Sequence, residues 1–523
     1  MNIKRAKEEI KNSIEAYLMK NEFGEYQIPS VRQRPLLLIG PPGIGKTQIM
    51  EQIAKECQVG LVAYTITHHT RQSAIGLPYI VEKKFQGEKV SVTEYTMSEI
   101  IASVYEKIEK TGIHEGILFI DEINCVSETL APTMLQFLQC KTFGNQKVPE
   151  GWVIVAAGNP PEYNKSVRDF DVVTLDRIKK IDVAADFLVW KEYAYHAGIH
   201  QAVLSYLELK KNHFYCIETT VDGKLFATAR GWEDLSQLIQ VYEAIGKRID
   251  REVVYQYIQH WKIAKDFSNY LELYQKYKKD YQVADILDGH ISQTAIDKVR
   301  RASFDEKLSV IGLLVSRLDE LFRTCYRSDS FVTMVYEQLK SFKSMLNISD
   351  QSKGNIAVNE SGNTGANGAY AAMAETARKV EEETARLLSA EQLTKEQEHI
   401  RRKVAAQLEA YENMLKAGTY MDNLEAFEAV KERFADITDS RSTSFKEAEE
   451  ALNYAFDFME AAFGDSQEMV IFITELNTDF YSVWFVDENG CDRYYKYNKT
   501  LLFAEKQKGI IHQLDEIEEM SNI

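Results

Sequence analysis

The feature that most constrains this chain is a glycine-rich segment, GPPGIGKT, at residues 40–47. The apolar run LLLI at 36–39 directly precedes it. In the segment that follows, Ile49, Ile53 and Cys57 share one helix face. Glycines let a loop fold its amide groups inward around an anion, and a helix N-terminus adds a favourable partial charge. The sequence therefore predicts a strand, a phosphate-binding loop and a helix in succession.

The residues of this loop have different expected roles. Lys46 is expected to neutralise the β- and γ-phosphates of a nucleoside triphosphate, and Thr47 to bind a Mg²⁺ ion. The other residues predicted to contact the nucleotide are Gly40, Pro41, Pro42, Gly43, Ile44, Gly45 and Gln48.

A second motif supplies two acidic side chains. The segment ILFIDE at 117–122 is an apolar run that ends in Asp121 and Glu122. In an open parallel sheet, this strand end lies at the same edge as the phosphate loop. Transfer of a phosphoryl group to water needs a metal near the phosphates and a group that orients the water. We therefore expect Asp121 to hold Mg²⁺ with Thr47, and Glu122 to polarise the attacking water.

With these two motifs the chain resembles the AAA+ ATPases, GPPGIGKT as Walker A and ILFIDE as Walker B. The segment WVIVAAGNP at 152–160 is similar to the strand that ends in the sensor-1 residue, which would be Asn159. The segment FATARGWEDL at 226–235 is similar to the start of the sensor-2 helix, with Arg230 as its arginine. Each also has a plainer interpretation: a turn residue for Asn159 and a helix-start salt bridge for Arg230.

The resemblance also implies an arginine that acts on the nucleotide of a neighbouring subunit. The segment VVTLDRI at 172–178 makes Arg177 the candidate, and Arg168 in the preceding loop is a rival. A guanidinium supplied in trans stabilises charge on the transferred phosphoryl group and makes hydrolysis depend on assembly. The alternative for Arg177 is a surface ion pair with Asp171 or Asp176.

Within the AAA+ proteins, the chain resembles the MoxR, magnesium-chelatase and dynein-related branch. The evidence is DEIN at 121–124, the LDRI spacing, and the segment AIGLPYIVEKKFQGEKVSV at 74–92. That last segment is predicted to form a hairpin inserted before the helix that leads into the Walker B strand.

The resemblance implies ATP and Mg²⁺ as ligands and a ring of subunits, expected to be a hexamer. It also implies coupling of hydrolysis to remodelling of a protein client, with a partner that bears a von Willebrand factor A domain. The residues alone do not indicate whether the base of the nucleotide is adenine or guanine. Two other function classes therefore stay open: a nucleic-acid-acting or GTP-driven restriction-type motor, and a nucleotide-gated binding scaffold.

Composition narrows these alternatives. Lysine and arginine total 62 against 79 aspartate and glutamate, for a net charge of −17, which disfavours nucleic acid as a partner. No apolar run is long enough to span a membrane, and the N-terminus lacks the apolar core of a signal peptide. The six cysteines form no CxxC pair, which disfavours a zinc cluster or a disulfide framework. We predict a cytoplasmic protein without membrane partners.

Beyond the motifs, apolar spacing indicates mostly helices. Phe304, Leu308, Ile311, Val315, Leu318 and Phe322 form one apolar helix stripe. Near the C-terminus, MVIFITEL and FYSVWFV are separated by three polar residues, and Asn489-Gly490 precedes YYKYNK, a pattern typical of hairpins.

The predicted fold class is an α/β P-loop NTPase core of the AAA+ type with a parallel sheet. A helical lid, a further helical domain and a small, mainly β module at the C-terminus are expected to follow. The predicted segments are an N-terminal helix (1–30), the α/β core (31–185), the helical lid and extension (186–346), a flexible linker (347–368), a helical bundle or coiled-coil arms (369–465) and the β-rich module (466–523).

Overall fold

The computed structural model describes residues 1–68, 70–85, 88–143, 146–163, 170–220, 223–346 and 366–499. The described strands, in chain order, are β1 (Leu36–Ile39), β2 (Gly60–Thr65), β3 (Pro78–Phe85), β4 (Glu88–Tyr95), β5 (Gly116–Asp121), β6 (Thr142–Phe143), β7 (Gln146–Lys147), β8 (Trp152–Gly158), β9 (Lys179–Asp182), β10 (Cys216–Thr220) and β11 (Gly223–Ala227).

Helices make up most of the rest of the described chain. They are α1 (Ile3–Leu18), α2 (Lys46–Glu56), α3 (Arg71–Ile75), α4 (Glu99–Thr111), α5 (Ala131–Cys140), α6 (Val172–Leu175), α7 (Phe187–His196), α8 (Gln201–Leu209), α9 (Ala229–Ala244), α10 (Arg251–Tyr257), α11 (Trp261–Tyr281), α12 (Val283–Leu287), α13 (Gln293–Arg301), α14 (Phe304–Met345), α15 (Ala366–Ser389), α16 (Lys395–Ala417), α17 (Asn423–Phe463), α18 (Gln467–Thr478) and α19 (Phe480–Asn489).

The chain packs as two units. The first contains the described residues of Met1–Val189, Thr228–Gly231 and Glu383–Glu398. The second contains those of Trp190–Ala227, Trp232–Glu382 and His399–Ile523.

A five-stranded parallel sheet organises the first unit, with the strand order β2–β5–β8–β1–β9. Strand β8 is buried throughout, and β5 is buried up to its last residue. Alternate residues of β5 enter two apolar clusters on opposite faces of the sheet, Leu118 on one face and Phe119 on the other. Coverage of both faces explains why these strands have unbroken apolar sequences, and the predicted α/β core is confirmed.

The segment predicted as an inserted hairpin is also confirmed. Strands β3 and β4 pair antiparallel from Pro78 opposite Tyr95 to Phe85 opposite Glu88. Helix α4 follows and leads into β5, the strand of the second motif.

Long helices dominate the second unit. Helices α14 and α17 run antiparallel, because Asp329 contacts Arg441 while Phe342 packs near Phe427 further along. The apolar stripe predicted from 304 to 322 lies on α14, and its members are buried except for the half-exposed Phe304. The end of α14 shares one apolar cluster with α15, α16 and the start of α17, which is a helical bundle.

The predicted β-rich module is wrong. Its two apolar runs form α18 and α19, and residues 492–499 are helical as well. Asp479 does not belong to a hairpin turn; it caps α19, because its side chain accepts a hydrogen bond from the Ser482 amide at 2.7 Å. Short apolar runs fit a buried helix and a buried strand equally well, and here Phe472, Leu476 and Phe485 are buried in helices.

Most of the predicted linker, residues 347–365, lies outside the described residues, and residues 366–368 are the first turn of α15. Among the described helices, none is both long enough and apolar enough to cross a membrane.

Candidate functional site

The glycine-rich loop connects β1 to α2 at the carboxyl edge of the sheet. Gly43 and Gly45 have φ angles of 75° and 92°, the left-handed region that favours glycine, and Gly45 caps α2. At Gly40, a Cβ atom would lie 2.8 Å from the Val183 carbonyl oxygen. The glycines therefore allow a backbone path that other residues would strain.

Lys46 is the buried cation of this loop, with 8% of the residue exposed. Its Nζ donates to the carbonyl oxygens of Gly40 and Pro41 and to Asn159 Oδ1, each at 2.8 Å. Burial lowers the pKa of Lys46 to about 8; the Asp121 carboxylate opposes this, and the Arg230 charge adds to it. All three hydrogen-bond partners are neutral oxygens, so the ammonium group is placed to gain energy from an incoming anion.

Beside Lys46, a hydroxyl and a carboxylate are in contact. Thr47 Oγ1 donates to Asp121 Oδ2 at 2.8 Å, and Asp121 Oδ1 accepts from the Glu122 amide at 2.9 Å. Oxygen atoms of these two kinds are the ligands that Mg²⁺ prefers. The donor set predicted from the sequence is therefore brought together.

Glu122 is the last residue of the second motif and has a left-handed backbone, with φ of 57°. Its Oε2 accepts a hydrogen bond from Thr67 Oγ1 at 2.9 Å. Thr67 follows β2, whose Thr65 pairs with Asp121 on β5. Thr67 was not predicted from the sequence; the available signal was a polar residue just after a strand that adjoins β5.

Asn159 follows β8, and its backbone is hydrogen-bonded to the side chain of Asn124. Asn124 Nδ2 donates to the Asn159 carbonyl oxygen at 2.7 Å, and its Oδ1 accepts from the Asn159 amide at 3.3 Å. A Cβ at Gly158 would lie 2.4 Å from Asn124 Oδ1, so this close approach requires glycine. These contacts orient the Asn159 side chain toward Lys46, a role for Asn124 that was not predicted from the sequence.

Arg230 lies at the start of α9, in a segment that belongs to the first unit. A Cβ built on Gly43 would be 3.3 Å from Thr228 and 3.5 Å from the Arg230 Cβ. The Thr228 hydroxyl accepts from the Gly231 amide at 3.2 Å and so fixes this turn. The structure thus places Arg230 beside the phosphate loop.

Arg177 is exposed, and its Nη1 donates to Gln139 Oε1 at 2.5 Å. The pKa of Asp171 is lowered mainly by hydrogen bonds from Thr174, with a smaller contribution from the Arg177 charge. This hydrogen bond connects Arg177 to α5 and not to the phosphate loop. The rival, Arg168, lies outside the described residues.

The comparison with known families agrees with this geometry. Residues 35–178 match the AAA domain of the dynein-related subfamily, a range that runs from the start of β1 to just beyond Arg177. The match supports an AAA+ ATPase of this branch, so the resemblance predicted from the motifs is confirmed over these residues. No curated protein matches the chain.

Proposed function

We propose that this protein hydrolyses ATP with Mg²⁺ as a MoxR-like ring, expected to be a hexamer, and couples the reaction to remodelling of a partner protein. One observation carries the proposal. Lys46, Thr47, Asp121, Glu122 and Asn159 come from two strand ends and one helix start, and they converge at one edge of the sheet.

Lys46 and the loop amides would bind the phosphates. Bound ATP supplies the γ-phosphoryl group that is transferred to water. The Lys46 ammonium would exchange the Gly40 and Pro41 carbonyl oxygens for phosphate oxygens, which favours binding because a charged acceptor replaces neutral ones. Asn159 would keep its hydrogen bond and hold the ammonium in place.

Thr47 and Asp121 would hold the metal. Mg²⁺ bound there supplies positive charge to the phosphate oxygens. The fit rests on their existing contact at 2.8 Å, since both oxygens already face one another. Asp121 would bind Mg²⁺ directly or through water.

Glu122 would orient the attacking water. Its carboxylate follows the Walker B strand, and the hydrogen bond from Thr67 would set the direction of the side chain. A carboxylate held in this way can accept a proton from water as the new bond to phosphorus forms.

The two arginines would act from different subunits. Arg230 lies near the loop of its own chain, which suits a role in cis. Arg177 is exposed and suits a role in trans, with Arg168 as the alternative. An arginine supplied by a neighbouring subunit would make hydrolysis depend on ring assembly. A partner with a von Willebrand factor A domain would bind the assembled ring.

The test is steady-state hydrolysis of ATP and of GTP across a range of protein concentrations, with Arg177→Ala beside the unaltered chain. Turnover per subunit that rises with concentration, and is lost in Arg177→Ala, supports a ring with arginines acting in trans. Turnover that is independent of concentration contradicts it. A preference for GTP would favour the restriction-type motor instead.

A further inference from the structure

Three side chains of the second unit combine thiol, carboxylate and imidazole chemistry at one place. Cys216 and Glu218 lie on β10, and His260 immediately precedes α11. Residues two apart on a strand project from the same face, so Cys216 and Glu218 point to the same side. His260 approaches that side from a distant part of the sequence, which is why motif spacing did not reveal the group.

The distances between the donor atoms are slightly longer than those between the ligands of one cation. His260 Nε2 lies 3.4 Å from Glu218 Oε2, and Cys216 Sγ lies 3.9 Å from Glu218 Oε1. One donor atom from each of the three residues lies within 4.8 Å of the others. Ligands at 2.0–2.3 Å from a tetrahedral Zn²⁺ are separated by roughly 3.3–3.8 Å, so a small contraction would complete the set.

His260 gives an independent indication of a ligand. The residue is 3% exposed, and neither of its ring nitrogens has a hydrogen-bond partner among the residues that the structure describes. Leaving a buried polar group without a partner costs about 1–3 kcal/mol. A cation bound by one ring nitrogen would remove part of that cost.

Backbone contacts already hold the three positions. Strand β10 pairs with β11, with Cys216 opposite Ala227 and Glu218 opposite Leu225. The Phe226 amide of β11 donates to the Gln259 carbonyl oxygen at 3.0 Å, which anchors the residue before His260 to the same hairpin. The ligand positions are therefore set by the fold and not by the cation.

We propose that Cys216, Glu218 and His260 bind a divalent transition-metal ion, with Zn²⁺ preferred. Sulfur and imidazole ligands favour Zn²⁺ over Mg²⁺, which prefers oxygen, so this site is distinct in chemistry from the pair Thr47 and Asp121. The Glu218 side chain is half exposed, so water can fill a fourth position. The bound ion would join the β10–β11 hairpin to the start of α11.

The experiment is a titration of the full chain with Co²⁺, followed by absorption spectroscopy. The protein is first treated with a chelator and freed of nucleotide. A thiolate ligand of Co²⁺ gives a charge-transfer band. Added Zn²⁺ should displace the Co²⁺ and abolish this band. We expect one Co²⁺ per chain with this band, and its loss in Cys216→Ser. Glu218→Gln should weaken binding at least about ten-fold, since the loss of supporting contacts alone costs that much.

Two controls keep the result interpretable. Cys140→Ser removes another cysteine, which is exposed, and should leave the band unchanged. Circular dichroism checks that each variant is folded, and the test avoids His260 because it is buried. Zn²⁺ should also raise the melting temperature of the unaltered chain but not that of Cys216→Ser. Co²⁺ binding without the band, no binding, or a band that persists in Cys216→Ser would overturn the proposal.

Discussion

Two buried lysines, one in each unit, show how the same side chain serves different purposes. Among the residues that the structure describes, the hydrogen-bond acceptors of Lys46 are neutral oxygens, whereas Lys191 lies 2.9 Å from the Glu208 carboxylate and 2.5 Å from the Glu475 carboxylate. Burial lowers the pKa of Lys46 to about 8. Burial acts in the same direction on Lys191, but Glu475 and Glu208 outweigh it and raise the pKa. A buried ammonium without a counter-charge is prepared to bind an anion, and one paired twice is part of the packing.

Replacement of Lys191 should have the largest effect on stability. Lys191→Met leaves Glu475 buried without its cation, and such a loss costs about 3–5 kcal/mol. We expect a clearly lower midpoint in urea denaturation followed by circular dichroism. Lys211→Met is the matched control, because its ammonium is exposed and pairs with Glu208. Equal midpoints for the two variants would contradict the structural role of Lys191.

Replacement of Lys46, by contrast, should lower ATP turnover without lowering stability. Lys46→Met should lower ATP turnover about a hundred-fold or more, because it removes a preorganised charge from the phosphate site. The urea midpoint should not fall, since an uncompensated buried charge is removed. The control is Lys55→Met on the same helix. A loss of stability as large as that of Lys191→Met would remove the distinction between the two lysines.

A smaller effect is expected at Asn124, which positions a neighbour of Lys46. Asn124→Ala removes two hydrogen bonds to Asn159, and a loss of about 1–2 kcal/mol would lower turnover roughly ten-fold. Asn124→Asp keeps the acceptor but loses the donor, so its turnover should be intermediate. Unchanged turnover in Asn124→Ala would show that Asn159 needs no such support.

The smallest effect is a pH dependence that the two lysines should not share. Lys46 loses its proton in the free protein as pH rises above about 8, so ATP affinity should fall there. Over the interval from pH 8 to 10.5, the unfolded chain binds this proton more tightly, so the Lys46 contribution to stability rises with pH. Lys191 stays charged over this interval. Its contribution to stability is lost only above pH 10.5, as the pH rises through its raised pKa.

Fluorescent-nucleotide binding measured across this pH range checks the prediction. The Lys46→Arg variant is the control, because arginine stays protonated and its binding should not decline for this reason. Constant affinity of the unaltered chain above pH 8 would contradict the lowered pKa of Lys46.

The residues predictable from the sequence were those that lie in contiguous motifs. Asp121 and Glu122 directly follow an apolar run, and Lys46 and Thr47 end the glycine-rich loop that follows another. The edge of a parallel sheet brings such strand ends together. Thr67 and Asn124 were not predicted because their roles depend on which strands are neighbours.

The C-terminal helices show a second limit of prediction from the sequence. The apolar run around Phe485 contains a single clearly polar residue, Ser482, so periodicity could not separate a buried helix from a strand. Cys216 and His260 illustrate a third limit, since only the fold brings them to one place.

The central claim is that the sheet edge of the first unit is a hydrolytic site, and Glu122→Gln tests it most directly. ATP binding and phosphate release should be measured on the same preparations, with Glu109→Gln as an exposed control. We predict unchanged ATP affinity with phosphate release lowered about 10²–10⁴-fold, the contribution expected of a general base. Unchanged phosphate release in Glu122→Gln would contradict the assignment of this site.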